Sequence, residues 1–200
     1  MDERKLALIL SALEENSNPE YMLEQYSVTP EIAASTLILA KDDIKNKVVY
    51  DLGCGSGRFT IGAALLGAKK AVGVDIDDNV LEIAKENVAL VKEKTGIDVS
   101  SVCEWVCTDV EKLDAKAHTV VQFPPFSLDK IFFKKALEIS KKVYSIHKDT
   151  KSTRDSLSKL CEQTDWQIEA EKKFKYVLAW KEGRKVGREV FLLVAKKLKS

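Results

Sequence analysis

Long apolar runs and an excess of one charge are both missing from this chain of 200 residues. No run approaches the roughly 18 apolar residues that a membrane-spanning helix needs, and residues 1–5 do not resemble a signal peptide. The 32 basic and 31 acidic residues leave a net charge of +1, so overall charge does not indicate a nucleic-acid binder. The sequence therefore predicts a cytoplasmic protein with no membrane partner.

Cysteine is also scarce, with four residues in the whole chain. Cys103 and Cys107 form the closest pair, but no second close pair and no histidine at zinc-finger spacing accompanies them. Both lie in an alternating apolar stretch that is typical of a strand. We therefore expect strand cysteines here and no metal site.

Apolar periodicity predicts a single α/β domain. Two hundred residues suit one such domain, and no repeat, low-complexity segment or linker divides them. After Lys47 strand-like and helix-like segments alternate, which favours a mostly parallel sheet with right-handed crossovers and helices on both faces. The predicted strands lie near residues 47–51, 70–75, 101–107, 118–122 and 142–147, and the predicted helices near 57–66, 78–93, 129–140 and 150–163.

Both ends of the chain depart from that alternation. At the N-terminus, helical spacing over residues 3–15 is broken by an Asn-Ser-Asn-Pro segment. A second predicted helix covers 30–39, with proline at its first position and Thr29 as its N-cap. Toward the C-terminus, residues 166–175 and 188–196 are strand-like and predict an antiparallel hairpin at the sheet edge. The expected sheet therefore has seven strands.

A glycine-rich turn, DLGCGSG at residues 51–57, is the strongest functional signal. It follows the apolar residues 48–50 and precedes a helical pattern, so it joins a strand to a helix. Its glycines permit positive φ and let backbone N–H groups approach a ligand closely. A second apolar run ends about 20 residues later at Asp75, where an acidic residue can bind ribose hydroxyls. The pattern predicts a cofactor that contains a nucleoside.

The alternating glycines after Asp51 resemble motif I of the class I S-adenosylmethionine methyltransferases more than the GxGxxG of dinucleotide folds. The resemblance implies S-adenosylmethionine as cofactor, with Asp51 near the methionine ammonium, Asp75 at the ribose and Asp109 at the adenine amine. Two plainer interpretations stay open, because Asp75 could cap the following helix and Asp109 could be a turn residue. The cofactor residues implied within this fold are Asp51, Gly53, Gly55, Gly57, Asp75, Ile76, Asp109 and Val110.

The fourth predicted strand ends in QFPPF, residues 122–126. This segment resembles the Asn/Asp/Ser-Pro-Pro-aromatic motif of amino-methyltransferases. In that motif the Asn oxygen and the first proline carbonyl accept the two hydrogens of an exocyclic amine, which makes its lone pair more available. The aromatic residue stacks on a base that is flipped out or unpaired. The candidate catalytic residues are Gln122, Phe123, Pro124, Pro125 and Phe126.

Several further motifs, in order, resemble the archaeal and eukaryotic small-subunit ribosomal RNA adenine-N6 methyltransferases. They are LEQYSVTP at 23–30, GVDID at 73–77, VYSIHK at 143–148 and STR at 152–154. The resemblance implies RNA as substrate and, in some lineages, a small zinc-binding activator protein as partner. It also implies that residues 1–46 form a helical extension covering the cofactor site within one domain, 1–200. Gln25, Tyr26 and Thr29 would cover the cofactor, and His147 and Lys148 would lie near the substrate entrance.

Phe123 departs from that family, because it occupies the position of the Asn and cannot accept a hydrogen bond. Three interpretations stay open. Gln122 replaces the amide through a local register change, or the Pro124 carbonyl suffices with another acceptor or another target nitrogen, or the protein binds cofactor or RNA without transferring a methyl group. We expect an RNA adenine-N6 methyltransferase, with a non-catalytic binding protein and a methyltransferase for another nitrogen as alternatives.

Basic residues are concentrated near the C-terminus, where they indicate either an RNA-facing patch or a solvated edge strand protected by lysines. The residues concerned are Lys172, Lys173, Lys175, Lys181, Arg184, Lys185, Arg188, Lys196, Lys197 and Lys199.

Overall fold

A seven-stranded sheet forms the centre of the computed structural model, which describes residues 1–17, 24, 26–181 and 184–198. The strand order is β3-β2-β1-β4-β5-β7-β6. The first five strands run parallel, and β7 is antiparallel to both β5 and β6. The strands are β1 Val48–Leu52, β2 Lys70–Asp75, β3 Cys103–Cys107, β4 Thr119–Gln122, β5 Lys142–Lys148, β6 Trp166–Lys181 and β7 Arg184–Lys197.

Helices cover both faces of the sheet, as the alternating pattern predicted. Alternate residues of β7 point into two separate cores: Leu192 belongs to one and Phe191 to the other. The first core is closed by α1, α2, α4 and α5, and the second by α6 and α7. The helices are α1 Glu3–Leu10, α2 Pro30–Leu39, α3 Lys41–Ile44, α4 Arg58–Leu65, α5 Asp78–Thr95, α6 Asp129–Ile139 and α7 Lys151–Glu162, with 3₁₀ turns at Val110–Lys112 and Phe126–Leu128.

The N-terminal extension is helical but shorter in its first helix than the periodicity predicted. Helix α1 ends at Leu10 instead of continuing to residue 15. The Ser11 hydroxyl donates to the Leu8 carbonyl at 2.8 Å and competes with the helical ladder at that point. Helix α2 begins at Pro30 with Thr29 as its N-cap, as predicted. Among the described residues, no helix is long and apolar enough to cross a membrane.

The C-terminal hairpin is longer than the 166–175 and 188–196 that the pattern predicted. Register shifts between Ile168 and Ala170 and between Val177 and Ala179 interrupt the period of two. Such bulges conceal a continuous strand from a sequence pattern. The hairpin lies at the sheet edge as expected, with β7 against β5 and β6 outermost. Cys103 and Cys107 begin and end β3, which confirms them as strand residues.

Candidate active site

A cavity of about 290 Å³ opens where β1, β2, β3 and β4 end. The strand order reverses between β1 and β4, and open α/β sheets bind ligands at such a switch point. The cavity walls combine the glycine turn, the ends of β2 and β3, the Pro-Pro loop after β4 and part of the segment before α2. Most of the residues predicted from separate motifs therefore meet in one place.

The glycine turn follows the conformation that its sequence requires. Gly53, Gly55 and Gly57 have φ angles of 70°, 50° and 86°, in the region that glycine tolerates best. The N–H groups of Gly53 and Cys54 donate to the Val74 carbonyl at 2.8 and 3.0 Å, which holds the turn against β2. A Cβ added at Gly55 would meet no atom within 4 Å, because this residue borders the open cavity.

Asp75 supports the turn with its side chain. Its Oδ2 accepts from the Gly55 N–H at 2.9 Å, and its Oδ1 accepts from the Asp77 N–H at 3.1 Å. Burial raises the pKa of this carboxyl, while the backbone hydrogen bonds oppose the rise. The interpretation of Asp75 as the cap of α5 is wrong, because Asp77 is the N-cap and accepts from the Asn79 N–H.

Asp109 is a turn residue that also lines the cavity. Its Oδ1 accepts from the Glu111 N–H at 2.9 Å and caps the 3₁₀ turn, so it is a turn residue. It also lines the cavity, together with Val110 and Ile76. Ile76 is 57% exposed, which leaves an apolar side chain open at the cavity wall.

Asp51 is a buried carboxylate at the end of β1 and lines the cavity. Only 2% of the residue is exposed, and its Oδ2 accepts from the Thr60 N–H and hydroxyl at 3.0 and 2.9 Å. Burial raises the pKa of Asp51 to about 7, although both Thr60 hydrogen bonds lower it. A cation bound in the cavity would favour the ionised form of this carboxyl.

The opposite wall of the cavity is aromatic. Phe123 meets Phe126 and Tyr176 edge to face, with centroid distances of 5.7 and 5.2 Å. Tyr26 lies 6.3 Å from Phe126. We call Tyr26, Phe123 and Phe126, which line the cavity, the aromatic wall; Tyr176 packs against Phe123 and is not part of the cavity lining. Pro124 and Pro125 also line the cavity, so the Pro-Pro loop and the glycine turn border the same space.

Gln122 does not reach this cavity. Its Nε2 donates to Ser145 Oγ at 2.8 Å, and the residue is fully buried. It pairs in regular parallel register with Leu52 on β1 and Ser145 on β5. No register change therefore brings the Gln122 amide to the place of the missing acceptor.

His147 lies in the core instead of at the expected substrate entrance. It is fully buried, and its Nδ1 lies 2.8 Å from Asp129 Oδ1. The rings of Phe133 and Phe191 flank it, at centroid distances of 5.6 and 5.9 Å. Lys148 is half-buried at the end of β5 and is also outside the cavity lining.

The segment before α2 was expected to cover the cofactor, and only part of it lines the cavity. Tyr26 lines the cavity, but Thr29 caps α2, with its Oγ1 3.4 Å from the Ile32 nitrogen, and does not line it. Gln25 lies outside the described residues. In the basic C-terminal region, Lys173 and Lys196 pair with Asp149 and Glu169, at 3.1 and 3.6 Å. Residue 199 and the side chains of 181, 184, 185 and 188 lie outside the described part of the chain.

Three polar residues near the site were not among the residues predicted for it. Asn87 is fully buried on α5, and its Nδ2 donates to the carbonyls of Glu14 and Ser56 at 2.9 and 3.0 Å. Arg58 pairs with Glu15 at 2.8 Å and also donates to the Val28 carbonyl. Both attach the N-terminal extension to the glycine turn. In the sequence, the only indication of a special role for Asn87 is that this polar residue occupies an otherwise apolar position of α5.

Glu24 is the third of these residues. Its Oε2 accepts from the Ser127 N–H at 3.1 Å, and both residues line the cavity. Glu24 has a φ of 47°, unusual for a residue with a side chain. Its carboxylate thus connects the segment before α2 to the loop after the Pro-Pro motif.

Comparison with known proteins agrees with this geometry. The family model of ribosomal protein L11 methyltransferase (PrmA) matches residues 33–122. An uncharacterised protein of Methanocaldococcus jannaschii is 36% identical over 183 residues, covering 83% of this chain and 79% of that protein. The crystal structure of a candidate RNA methyltransferase from Pyrococcus horikoshii superposes with a TM-score of 0.88 at 30% identity, covering 98% of both chains.

A curated relative identifies the family. The rRNA N(6)-adenosine-methyltransferase METTL5 of Danio rerio is 38% identical over 181 residues, which cover 86% of this chain and 84% of the relative. The chain therefore belongs to the METTL5 family of rRNA N(6)-adenosine-methyltransferases, within the class I S-adenosylmethionine methyltransferases.

Proposed function

We propose that this protein transfers a methyl group from S-adenosylmethionine to the N6 amine of an adenine in small-subunit ribosomal RNA. The observation that carries the proposal is that the glycine turn and Asp51 line the same cavity as the Pro-Pro loop and Phe126. The glycine turn and Asp51 suit a charged nucleoside cofactor, and the Pro-Pro loop and Phe126 suit a flat base. Methyl transfer needs these two ligands side by side.

The residues around the glycine turn fit the cofactor. Asp51 offers a buried carboxylate to a positively charged ammonium, which would offset the cost of its burial. Asp75 already accepts two backbone N–H groups, but each carboxylate oxygen has a second lone pair for a ribose hydroxyl. The exposed Ile76 and Val110 supply apolar surface for an adenine ring, and Asp109 stands beside them.

The bound cofactor supplies an electrophilic methyl group on a sulfonium. The protein would position the base and exclude water from it. The aromatic wall would displace water from the base, and the Pro-Pro loop would hold the base at a fixed distance from the methyl group. Phe126 would stack on the adenine. The Pro124 carbonyl would accept one hydrogen of the exocyclic amine, which keeps the nitrogen lone pair available.

One observation favours a different function. Phe123 is 9% exposed, packs into the aromatic wall and offers no acceptor for the second amine hydrogen. A protein that binds cofactor or RNA without transfer would need no such acceptor. The third candidate function is methylation of a different nitrogen, one that carries a single hydrogen and so needs a single acceptor. The zinc-binding activator partner and the cytoplasmic location remain predictions from the sequence.

Transfer of radiolabelled methyl groups to unmodified small-subunit RNA tests the proposal. We expect label in N6-methyladenosine after nuclease digestion, and a loss of both transfer and cofactor binding in Asp75→Ala. The exposed Asp114→Ala serves as the matched control and keeps both. Cofactor binding by calorimetry with no label in any RNA would favour the binding protein, and label in another nucleoside would favour another nitrogen.

A further inference from the structure

We propose that the Glu24 carboxylate accepts a hydrogen of the target amine, in place of the side-chain oxygen that Phe123 lacks. This inference rests on the proposed function, since it concerns the base that the cavity receives. It assigns a catalytic residue that the Pro-Pro motif does not contain. It also explains how a chain with phenylalanine at that position retains two acceptors for an exocyclic amine.

The position of Glu24 carries the proposal. Its Oε2 accepts from the Ser127 N–H at 3.1 Å, directly after Phe126, whose ring would stack on the base. Glu24 also lines the cavity with Pro124 and Phe126. A turn in which the Tyr26 N–H donates to the Glu24 carbonyl at 2.7 Å keeps this residue at the cavity. One side-chain hydrogen bond therefore holds the carboxylate at the loop after β4, and the backbone turn fixes the segment that carries it.

The other carboxylates of the lining belong to the cofactor end. Asp51 lies in β1, Asp75 ends β2, and Asp109 and Glu111 follow β3, whereas the Pro-Pro loop follows β4. The Asp51 Oδ2 is already engaged by Thr60. Within the described part of the lining, Glu24 is the carboxylate that contacts the loop after β4.

Glu24 has the free capacity that the role requires. Its Oε1 makes no hydrogen bond or ion pair among the described residues, and the side chain is half-buried. A hydrogen bond to a charged acceptor is roughly twice as strong as one between neutral groups. The Glu24 carboxylate would therefore hold the amine at least as firmly as an amide oxygen at position 123.

The reaction balances with Glu24 as the proton acceptor. The N6 lone pair forms the new bond to the methyl carbon while the carbon–sulfur bond breaks and leaves its electron pair on sulfur. The nitrogen then carries one proton too many. That proton passes along the existing hydrogen bond to the Glu24 carboxylate, and the half-buried side chain releases it to solvent.

A double-mutant comparison tests this role. We expect Glu24→Ala to lower kcat by about a hundredfold, the usual effect of losing one such transition-state contact. Glu24→Gln keeps an acceptor oxygen and should therefore lose less of the rate than Glu24→Ala. Adding Phe123→Asn to Glu24→Ala should restore most of the rate, because the family's acceptor returns. Glu31→Ala, an exposed glutamate on α2, is the control with the same charge change.

A binding measurement gives a second readout without turnover. Wild-type protein loaded with S-adenosylhomocysteine should bind an RNA with adenosine at the target more tightly than the same RNA with purine riboside, which lacks the amine. Glu24→Ala should remove that preference while the cofactor Kd stays within about twofold, the scatter expected for a residue outside the cofactor contacts. Urea denaturation of each variant establishes that it is folded.

Three outcomes overturn the inference. Unchanged kcat and unchanged preference for adenosine in Glu24→Ala would show that the carboxylate does not touch the amine. A weaker cofactor Kd together with no rescue by Phe123→Asn would make Glu24 a structural connection only. Equal binding of adenosine and purine by the wild type also contradicts it. Absence of transfer by every protein, with the adenosine preference intact, would instead contradict the proposed function.

Discussion

Tyr176 on β6 meets the Phe123 ring edge to face at 5.2 Å, and its hydroxyl donates to the Ser27 carbonyl at 2.7 Å. One side chain from the C-terminal hairpin therefore supports both the Pro-Pro loop and the segment before α2. Burial raises the pKa of this phenol, so it stays protonated and keeps donating at any working pH. The C-terminal hairpin therefore supports the residues that line the cavity.

Tyr176→Phe should separate these two contacts. The ring packing stays, and the hydrogen bond to Ser27 is lost, which we expect to cost about 1 kcal/mol in the free energy of unfolding. Because Ser27 and Val28 line the cavity, cofactor affinity should also fall several-fold. Urea denaturation and calorimetry measure the two effects. Tyr50→Phe removes a hydroxyl outside the cavity lining and serves as the control; equal effects in both variants would contradict the prediction.

Cofactor binding should depend on pH through Asp51. Its pKa is raised to about 7 without ligand, and the ionised form is the one that suits a cationic ammonium. Affinity should therefore be highest above pH 7 and fall about tenfold for each pH unit below it. In the unbound protein the contribution of Asp51 to stability should follow the opposite trend and fall as pH rises from about 4 to 7, because the unfolded carboxyl ionises first.

Asp51→Asn keeps an oxygen that can accept from Thr60 but removes the titration. We expect weak cofactor binding that no longer changes between pH 6 and 8, as calorimetry at several pH values would measure. The stability slope between pH 4 and 7 should flatten in the same variant. A pH profile of binding that survives Asp51→Asn would assign the titration to another group.

Gly55→Ala should damage the cofactor site beyond its effect on stability. Gly55 and Gly96 both have positive φ, and a Cβ at either would meet no protein atom within 4 Å. Alanine at each site should therefore cost a similar free energy of unfolding, on the order of 1 kcal/mol, from backbone strain alone. The methyl group at Gly55 would enter the cavity, so only that variant should lose cofactor affinity. Similar affinities in the two variants would contradict the assigned position of the cofactor.

The buried pair of His147 and Asp129 should matter for stability and leave cofactor binding intact. Asp129→Ala leaves the His147 Nδ1 without its partner in a core where Nε2 already has none among the described residues. Such an unpaired buried group costs about 1–3 kcal/mol. Urea denaturation should show that loss, with an unchanged cofactor Kd. The exposed Asp155→Ala is the control. A large loss of cofactor affinity in Asp129→Ala would contradict the prediction and would show that this pair contributes to the cofactor site.

The glycine turn, the strand and helix alternation and the cap at Thr29 could all be predicted from sequence. Each depends on a few neighbouring residues, such as glycines at positive φ or proline at a first helical position. The bulged hairpin ends were less predictable, because the period of two is interrupted there. Local chemistry thus predicted the part of the cavity lining that contains Asp51 and Asp75.

The sequence by itself determined the order of the elements, the backbone of the glycine turn and the loss of an acceptor at Phe123. Only the tertiary structure decided that Gln122 and His147 are buried away from the cavity and that Glu24 reaches Ser127. The physical reason is distance along the chain. A turn is set by adjacent residues, whereas a contact between residues about 100 positions apart depends on strand order and register, which no local pattern specifies.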